Sequence, residues 1–275
     1  MPEGDTLFQA AVRLHAALAG QVITRFATPV PALKEQGLVG QRVERVRSQG
    51  KYVIVEFGDG RALLTHLRMQ GKWSVLRKAD LRASARSSRD PRWDDDRTTL
   101  ILETAEIRAI LERAAVAELA PLREIERQLA SLGPDMMAPE FDAVAAREAL
   151  KTHATQTIAE ALMVQSLVAG IGNVYKSELL FLEKQNPFQP VSALDDAALD
   201  RLLRRARELM LRNRKGPRRT TFGTFASTPY YVYERSGQHC IKCDSKIRMR
   251  RQGPLQRSTY YCPECQTVPD EPPAR

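Results

Sequence analysis

The chain lacks any apolar run long enough to cross a bilayer, and its N-terminus lacks the basic and then apolar pattern of a secretory signal peptide. We therefore expect a cytoplasmic protein with no membrane partner. Cysteine is absent before residue 240, and no internal repeat is visible. With 275 residues, the chain is long enough for one large domain or two modest ones.

Basic residues are concentrated at one end of the chain. Residues 201–275 carry 17 Lys and Arg against 6 Asp and Glu, a net charge of +11, whereas the whole chain carries +9. The first 200 residues therefore sum to −2. This imbalance favours a surface that binds a polyanion, with nucleic acid first. The alternative is an arginine-rich surface that is merely solvated.

All four cysteines lie in this basic third, as Cys240, Cys243, Cys262 and Cys265. Their C-x2-C-x18-C-x2-C spacing is typical of a structural zinc site, in which two pairs of thiolates complete a tetrahedral shell. Disulfides are the weaker alternative in a cytoplasmic chain. His239 could replace one thiolate, but we expect it to be a bystander.

The first half of the chain has the pattern of a β-sandwich behind a leading helix. Residues 5–19 carry a helical apolar stripe, with Asp5 or Thr6 as the predicted cap and Gly20 as the stop. Gly58-Asp59-Gly60 predicts a tight hairpin. The predicted strands are Val22–Ala27, Arg42–Val46, Tyr52–Phe57, Arg61–Leu67, Lys72–Val75 and Thr99–Thr104.

The rest of the chain is predicted to contain a charged loop and mostly helices. The charged stretch Arg77–Arg97 predicts a mobile loop, and residues 106–132 are expected to be helical at least in part. Gly133-Pro134 breaks that pattern and marks the domain boundary, with a linker to about Pro139. The tail from Tyr230 is expected to be extended. Further helices are predicted over Asp142–Lys151, Thr157–Val168, Val174–Gln185 and Asp195–Arg214.

The N-terminal run Met1-Pro2-Glu3-Gly4-Asp5 can carry chemistry. Removal of Met1 would turn the Pro2 nitrogen from an amide into a secondary amine, whose ordinary pKa is about 7.7–8.0. Such an amine can attack an aldehyde-like carbon and form an iminium. Many chains begin with Met-Pro and have no such chemistry, so the signal gains weight only from the rest of the sequence.

A glycine-rich turn, Ala169-Gly170-Ile171-Gly172-Asn173, joins two predicted helices. Such a turn can present backbone N–H groups and the Asn173 amide to a phosphate. An ordinary helical hairpin is the alternative.

Three motifs occur in a fixed order: Met-Pro-Glu-Gly at the start, Gln165–Tyr175 in the middle and Arg257–Gln266 at the end. Together they closely resemble the formamidopyrimidine-DNA glycosylase/endonuclease VIII family of base-excision repair enzymes. The resemblance spans the chain, although residues 77–130 match weakly. It implies an α+β multidomain fold, with DNA lying between the halves. The implied domains are an N-terminal β-sandwich over 1–134, a helix–two-turn–helix domain over 140–235 and a zinc finger over 236–270.

The resemblance also implies residue roles. Pro2 would attack C1′ of the damaged nucleotide, and Glu3 would move protons at the sugar. Lys51, in Ser48–Tyr52, matches the lysine that approaches the phosphate beside the lesion. Asn173 and Arg257 match residues that grip phosphates flanking the flipped nucleotide. Singly, Lys51 and Arg257 would each be interpreted as ordinary surface charges.

A base-flipping enzyme must also fill the gap that the extruded base leaves. His66–Gly71 follows a predicted strand and matches the wedge loop of the family, with Met69 and Gln70 as the candidate inserted residues. The alternative is that Leu67 and Met69 are core residues.

Two departures from the family pattern concern the damaged base. The guanine-oxidation branch usually has a long loop after its Thr-Thr pair, whereas Thr220-Thr221 is followed here by only Phe222–Pro229. That branch also usually has an Arg–Phe pair after Asp-Pro-Arg. Here Asp90-Pro91-Arg92 leads to Trp93, and Glu112-Arg113-Ala114 contains no such pair.

The residues after Pro2-Glu3 bear on the branch and on proton transfer. Gly4-Asp5 resembles the endonuclease VIII side, so we expect oxidised pyrimidines and abasic sites rather than 8-oxoguanine. Thr6 stands where many relatives carry a carboxylate, so proton handling around Pro2 is expected to be weaker or shared differently. Glu178 is another candidate carboxylate, with a helix-surface position as the alternative.

The implied partner is double-stranded DNA containing oxidised bases or abasic sites. We expect the chain to bind this DNA as a nucleoid-associated monomer. We also expect it to hold one structural Zn2+ and to have lyase activity by β- or β,δ-elimination. The rival function is a non-catalytic, zinc-containing DNA-binding protein. Both functions predict salt-dependent affinity. Only the enzyme needs a processed N-terminus beside Glu3, together with Lys51.

Overall fold

The computed structural model describes residues 2–34, 36–80, 97–216, 219–222 and 228–267. The chain divides into two compact units, Met1–Ser131 and Leu132–Arg275. Within the described residues, no helix is both long enough and apolar enough to span a membrane.

The first unit contains two antiparallel four-stranded sheets behind a leading helix. One sheet has the order β1-β6-β7-β5 and the other β2-β3-β4-β8. Its elements are α1 (Gly4–Leu18), β1 (Arg25–Ala27), α2 (Pro31–Lys34), β2 (Val43–Gln49), β3 (Tyr52–Phe57), β4 (Arg61–His66), β5 (Lys72–Arg77), β6 (Thr98–Glu103), β7 (Ile107–Glu112), β8 (Val116–Pro121) and α3 (Leu122–Leu129).

The core of this unit joins α1 to both sheets. Leu7, Leu14 and Leu18 recur at helical spacing on α1 and are buried in the same cluster as Val53 and Leu100. Burying an apolar side chain of this size stabilises the fold by about 1.5–3 kcal/mol. Helix α1 is therefore fixed by its packing, which also fixes the position of the residues just before it.

The predicted helix over residues 106–132 is wrong for most of its length. Ile107–Glu112 and Val116–Pro121 are strands, and only Leu122–Leu129 is helical. β7 lies between β5 and β6, where it pairs with a neighbour on each side. Ala109, Ile110 and Leu111 are buried in succession, so β7 lacks the alternating burial that marks a half-exposed strand.

The second unit is mostly helical and ends in a hairpin. Its elements are α4 (Ala143–Lys151), α5 (Ile158–Ala161), α6 (Asn173–Leu182), α7 (Asp196–Asn213), β9 (Arg248–Gln252) and β10 (Arg257–Tyr261). Helices α4, α5 and α7 are N-capped by side chains that accept a backbone N–H in the first turn. The capping residues are Asp142, Thr157 and Asp195.

The predicted helix over Thr157–Val168 is also too long, since only Ile158–Ala161 is α-helical. The side chain of Gln165 explains where the chain departs. Its amide nitrogen donates to the carbonyls of Met163 and Ile171, at 2.9 and 3.1 Å, and its oxygen accepts from the N–H of Gly170 at 3.1 Å. These bonds hold the chain in turns and prevent a regular helix.

Candidate functional site

Pro2 and Glu3 lie directly before α1. Pro2 is half-buried, and Glu3 is fully buried at the N-cap position. The Glu3 carbonyl accepts from the N–H groups of Thr6 and Leu7, at 2.9 and 3.1 Å. The N-cap is therefore Glu3, two residues before Asp5 and three before Thr6, so the predicted cap is wrong.

Asp5 adds a second buried carboxylate close to the N-terminus. It is 1% exposed and accepts from both the N–H and the hydroxyl of Thr6, at 2.8 and 3.3 Å. The sequence interpretation used Asp5 only as a cap and a branch marker. Its burial within two residues of Glu3 makes it a further candidate for handling protons.

Lys51 lies in the turn between β2 and β3, next to Gly50, whose φ of 55° suits glycine. Tyr52 follows and pairs across the sheet with His66, their rings meeting edge-on at 4.9 Å. Burial, the positive charge of Lys51 and that of Arg68 together lower the pKa of His66 from 6.5 to about 4. The ring is neutral at pH 7. Its Nδ1 accepts the Arg68 N–H at 3.1 Å, so its proton is on Nε2.

In the turn after β4, the candidate wedge residues Met69 and Gln70 are exposed, whereas the preceding Leu67 is in the core. Leu67 is buried at 2% exposure, whereas Met69 is 65% exposed, so the core interpretation holds for Leu67 and is wrong for Met69. Gln70 accepts from the Arg113 guanidinium at 3.2 Å. A Cβ at Gly71 would lie 2.6 Å from the carbonyl oxygen of Leu67, so this turn requires glycine. Insertion of Met69 and Gln70 into DNA stays a prediction.

The glycine-rich turn ends at Gly172, the N-cap of α6, and Asn173 is the first residue of that helix. Gly170 has a φ of 104°, which a side chain would strain. Asn173 is 4% exposed, and its amide nitrogen donates to the Ser258 hydroxyl at 2.9 Å. The neighbouring Arg257 is exposed at the start of β10. Asn173 in the turn is therefore in contact with Ser258, the residue that follows Arg257 in the hairpin.

Lys176 is a residue of this region that the sequence interpretation missed. It is 2% exposed and donates to Asn173 Oδ1 at 2.7 Å. A lysine in a helix is normally interpreted as exposed. The available signal was its position three residues after Asn173, which puts both side chains on one face of the helix.

Glu178 lies inside the second unit, so its predicted alternative position on the helix surface is wrong. It is fully buried and accepts from the backbone N–H groups of Tyr231, Val232 and Tyr233, each at 2.8 Å, as well as from the Thr221 hydroxyl. Burial raises the pKa of this carboxyl, and the four donors oppose that rise. The carboxylate anchors the chain that leads to the hairpin.

The four cysteines converge as their spacing predicted. All four Sγ atoms lie within 4.8 Å of one another, with Cys240–Cys265 at 3.8 Å and Cys243–Cys262 at 3.4 Å. These separations exceed the disulfide bond length of about 2.05 Å, and they match the sulfur spacing of about 3.8 Å around a tetrahedral ion with 2.3 Å bonds. The set can hold a metal ion. His239 points its Nδ1 at the carbonyl of Asp244, 2.8 Å away.

Two family models match the sequence. The "Formamidopyrimidine-DNA glycosylase N-terminal domain" matches residues 1–114, and the "Formamidopyrimidine-DNA glycosylase H2TH domain" matches residues 132–221. A "Probable endonuclease 8 2" from Streptomyces coelicolor is 37% identical to it, over 98% of this chain and 95% of the relative. The chain belongs to the formamidopyrimidine-DNA glycosylase/endonuclease 8 family. The family predicted from the three motifs is thereby confirmed.

Two further family members extend the comparison. A DNA-(apurinic or apyrimidinic site) lyase from Mycolicibacterium smegmatis is 35% identical over 98% of this chain and its own full length. The crystal structure of Lactococcus lactis formamidopyrimidine-DNA glycosylase bound to DNA with an abasic site matches with a TM-score of 0.80. That match is 25% identical and covers 96% of this chain and 99% of the solved one. The predicted fold, a β-sandwich with a leading helix followed by a helix–two-turn–helix unit, is confirmed.

Two sequence predictions fall outside the described residues. The charged loop predicted over Arg77–Arg97 lies mostly there, as does the Asp90–Trp93 run used to assign the branch. The short segment after Thr220-Thr221 is described only at its ends, where the Thr221 N–H donates to the Pro229 carbonyl at 2.9 Å.

Proposed function

We propose that this chain is a bifunctional DNA glycosylase and abasic-site lyase of base-excision repair, with Pro2 as its nucleophile. The enzymatic class follows from family membership. The observation that carries it is full-length similarity to a relative named as a lyase of apurinic or apyrimidinic sites. Its DNA partner is double-stranded DNA with a damaged base or an abasic site.

The proposed chemistry begins at the Pro2 amine, freed by loss of Met1. Its lone pair forms a bond to C1′ while the glycosidic bond breaks, and the base leaves with the electrons of the glycosidic bond and gains a proton. Loss of the amine proton and opening of the sugar ring then give an iminium. Glu3 supplies and removes protons at the sugar. The iminium acidifies the C2′ proton, whose removal expels the 3′ phosphate and nicks the strand.

The remaining proposed roles concern DNA binding and the structural metal site. Lys51, Asn173 and Arg257 contact phosphates around the lesion, which a bent duplex with a flipped nucleotide requires. Met69 and Gln70 fill the gap, a role that the exposure of Met69 supports. The four cysteines hold one structural Zn2+, because four thiolates close the shell and leave no open position for chemistry.

The proposed substrates are oxidised pyrimidines and abasic sites. Support comes from the short chain between Thr221 and Pro229, whose ends are hydrogen-bonded and leave little length to fold over a flipped purine. A guanine-directed activity is the second candidate. The structural match to a formamidopyrimidine-DNA glycosylase favours it.

Borohydride trapping tests the function and the nucleophile together. Oligonucleotides carrying thymine glycol, 5,6-dihydrouracil, 8-oxoguanine or an abasic site should form a covalent adduct with the wild-type protein, most readily with the pyrimidine lesions and the abasic site. Pro2→Thr should abolish the adduct. A form with one added N-terminal residue is the matched control, because it keeps Pro2 but makes its nitrogen an amide. An adduct that survives in both variants would move the nucleophile elsewhere, and trapping on 8-oxoguanine alone would overturn the lesion class.

A further inference from the structure

Lys176 is a buried lysine whose hydrogen-bonding capacity is matched on all sides. It is 2% exposed, and its Nζ lies 2.7 Å from Asn173 Oδ1, 2.8 Å from the Ser258 carbonyl and 2.9 Å from the Thr259 hydroxyl. An ammonium has three donors and no acceptor, and each of these partners offers an acceptor. Burying an ammonium is costly unless such partners are present, so Lys176 depends on these three acceptors for its buried position.

The contacts of Lys176 continue into a directed hydrogen-bond chain. The Thr259 hydroxyl donates to Gln252 Oε1 at 2.5 Å, and Gln252 Nε2 donates to the Thr157 hydroxyl at 3.2 Å. Thr157 in turn donates to Glu160 at 2.6 Å. Every hydroxyl in the chain accepts from one side and donates to the other. The hairpin β9–β10 is thereby tied to α5 and α6.

Lys176 also determines which way the Asn173 amide points. Because an ammonium only donates, the amide atom that faces it must be the oxygen. The amide nitrogen is therefore turned to the Ser258 hydroxyl, 2.9 Å away, and it carries a second N–H. Without Lys176, nothing in this contact set would force the oxygen inward, and the amide could rotate by half a turn.

We propose that Lys176 is a positioning residue for phosphate binding, which fixes the orientation of the Asn173 amide. The inference rests on the proposed function, in which Asn173 and Arg257 bind phosphates. Lys176 acts through the Asn173 amide, to which it donates. Its removal should therefore weaken binding only as long as Asn173 is present.

A double-mutant cycle on DNA affinity tests this dependence. The probe is a duplex with a tetrahydrofuran abasic analogue, whose C1′ has no leaving group and so cannot form the iminium. The proteins are wild type, Lys176→Met, Asn173→Ala and the double variant. We expect each single variant to weaken binding by about tenfold, and the double variant by about tenfold as well, because both remove the same charge-supported hydrogen bonds. Lys151→Met is the matched control. Lys151 is exposed and paired with Asp196 at 2.9 Å, so losing it should change affinity by no more than about twofold.

The outcomes separate the inference from the function on which it rests. Additive losses, of about a hundredfold in the double variant, would overturn the positioning role, as would a Lys176→Met protein that melts earlier yet binds with wild-type affinity when folded.

Should Lys176→Met not fold, Thr259→Val removes one acceptor and leaves the charge. A two- to threefold loss that vanishes beside Asn173→Ala then supports the proposal, and an additive loss overturns it. If the double-mutant cycle shows this coupling but the wild-type protein forms no covalent adduct with any lesion, the enzymatic function alone is overturned. Unaltered affinity in Asn173→Ala would overturn the positioning role and leave the assignment of Pro2 intact.

Discussion

The carboxylate of Glu178 accepts the backbone N–H of Val232 at 2.8 Å, although the two residues are 54 positions apart in the chain. The neighbouring N–H groups of Tyr231 and Tyr233 point at the same carboxylate. One buried side chain on α6 thus holds three consecutive peptide groups of an irregular segment. That segment runs directly into the cysteine cluster, so Glu178 connects the stability of the helices to the placement of the metal site.

Replacing Glu178 should destabilise the second unit. In Glu178→Gln, the amide NH2 group would face backbone donors, and we expect the free energy of unfolding to fall by about 1–3 kcal/mol. Chemical denaturation measures this loss. Glu183→Gln is the matched control near the end of the same helix, where the carboxylate pairs with the half-exposed Arg205 at 3.0 Å and should contribute less than about 1 kcal/mol. Equal losses in the two variants would contradict the anchoring role.

His66 should make the protein sensitive to acid. Its pKa in the folded protein, about 4, lies below the ordinary value of 6.5, so folding favours the neutral ring. The stability that this preference contributes is complete above pH 6.5 and is lost as the pH falls through 4. In His66→Asn the side-chain oxygen can still accept the Arg68 N–H, but nothing titrates. The difference in unfolding free energy between wild type and His66→Asn should therefore shrink from pH 7 to pH 4. A constant difference, or a ring that titrates near 6.5 by NMR, would refute the assignment.

Gly71 should be essential for the turn that carries Met69. In Gly71→Ala the new methyl group would meet backbone atoms of Leu67 at 2.6 and 2.8 Å, which no side-chain rotation can relieve. We expect a loss of about 1–3 kcal/mol in stability and weaker preference for abasic-analogue DNA over undamaged DNA. Gly58→Ala is the control, because the nearest atom to its methyl group would be the flexible end of Glu44, at 3.1 Å, and the Arg42 atoms would lie at ordinary contact distances of 3.8 and 3.9 Å. If both variants keep wild-type preference, the turn does not contribute to lesion recognition.

The sequence predicted much of this architecture because its signals were local. Tyr52–Phe57 was predicted with the bounds that the structure has, since a tight glycine turn and an apolar run define it. The cysteine cluster followed from spacing alone. Residues 107–121 were misassigned because Ala, Leu and Glu are good helix formers, and only pairing with β4, β5 and β6 makes these residues strands.

The site was predicted less completely, for a physical reason. Short motifs mark residues that meet a ligand, and the family resemblance named these. The burial of Lys176 and Glu178 depends on partners distant in sequence, such as Ser258 and Val232. A polar residue with distant partners has the same local pattern as a solvated one. Contacts of this kind become visible only once the chain is folded.

The bonds of Gln165 have a thermodynamic consequence for DNA binding. One amide bonds to Met163, Gly170 and Ile171, so the loop before Asn173 is held by hydrogen bonds within the protein. If Asn173 binds a phosphate as proposed, we expect association to lose little conformational entropy at this loop, so that more of the contact energy is retained as affinity. Under the proposed role of Asn173 in phosphate binding, we therefore expect Gln165 to raise the affinity for DNA by reducing this entropy loss.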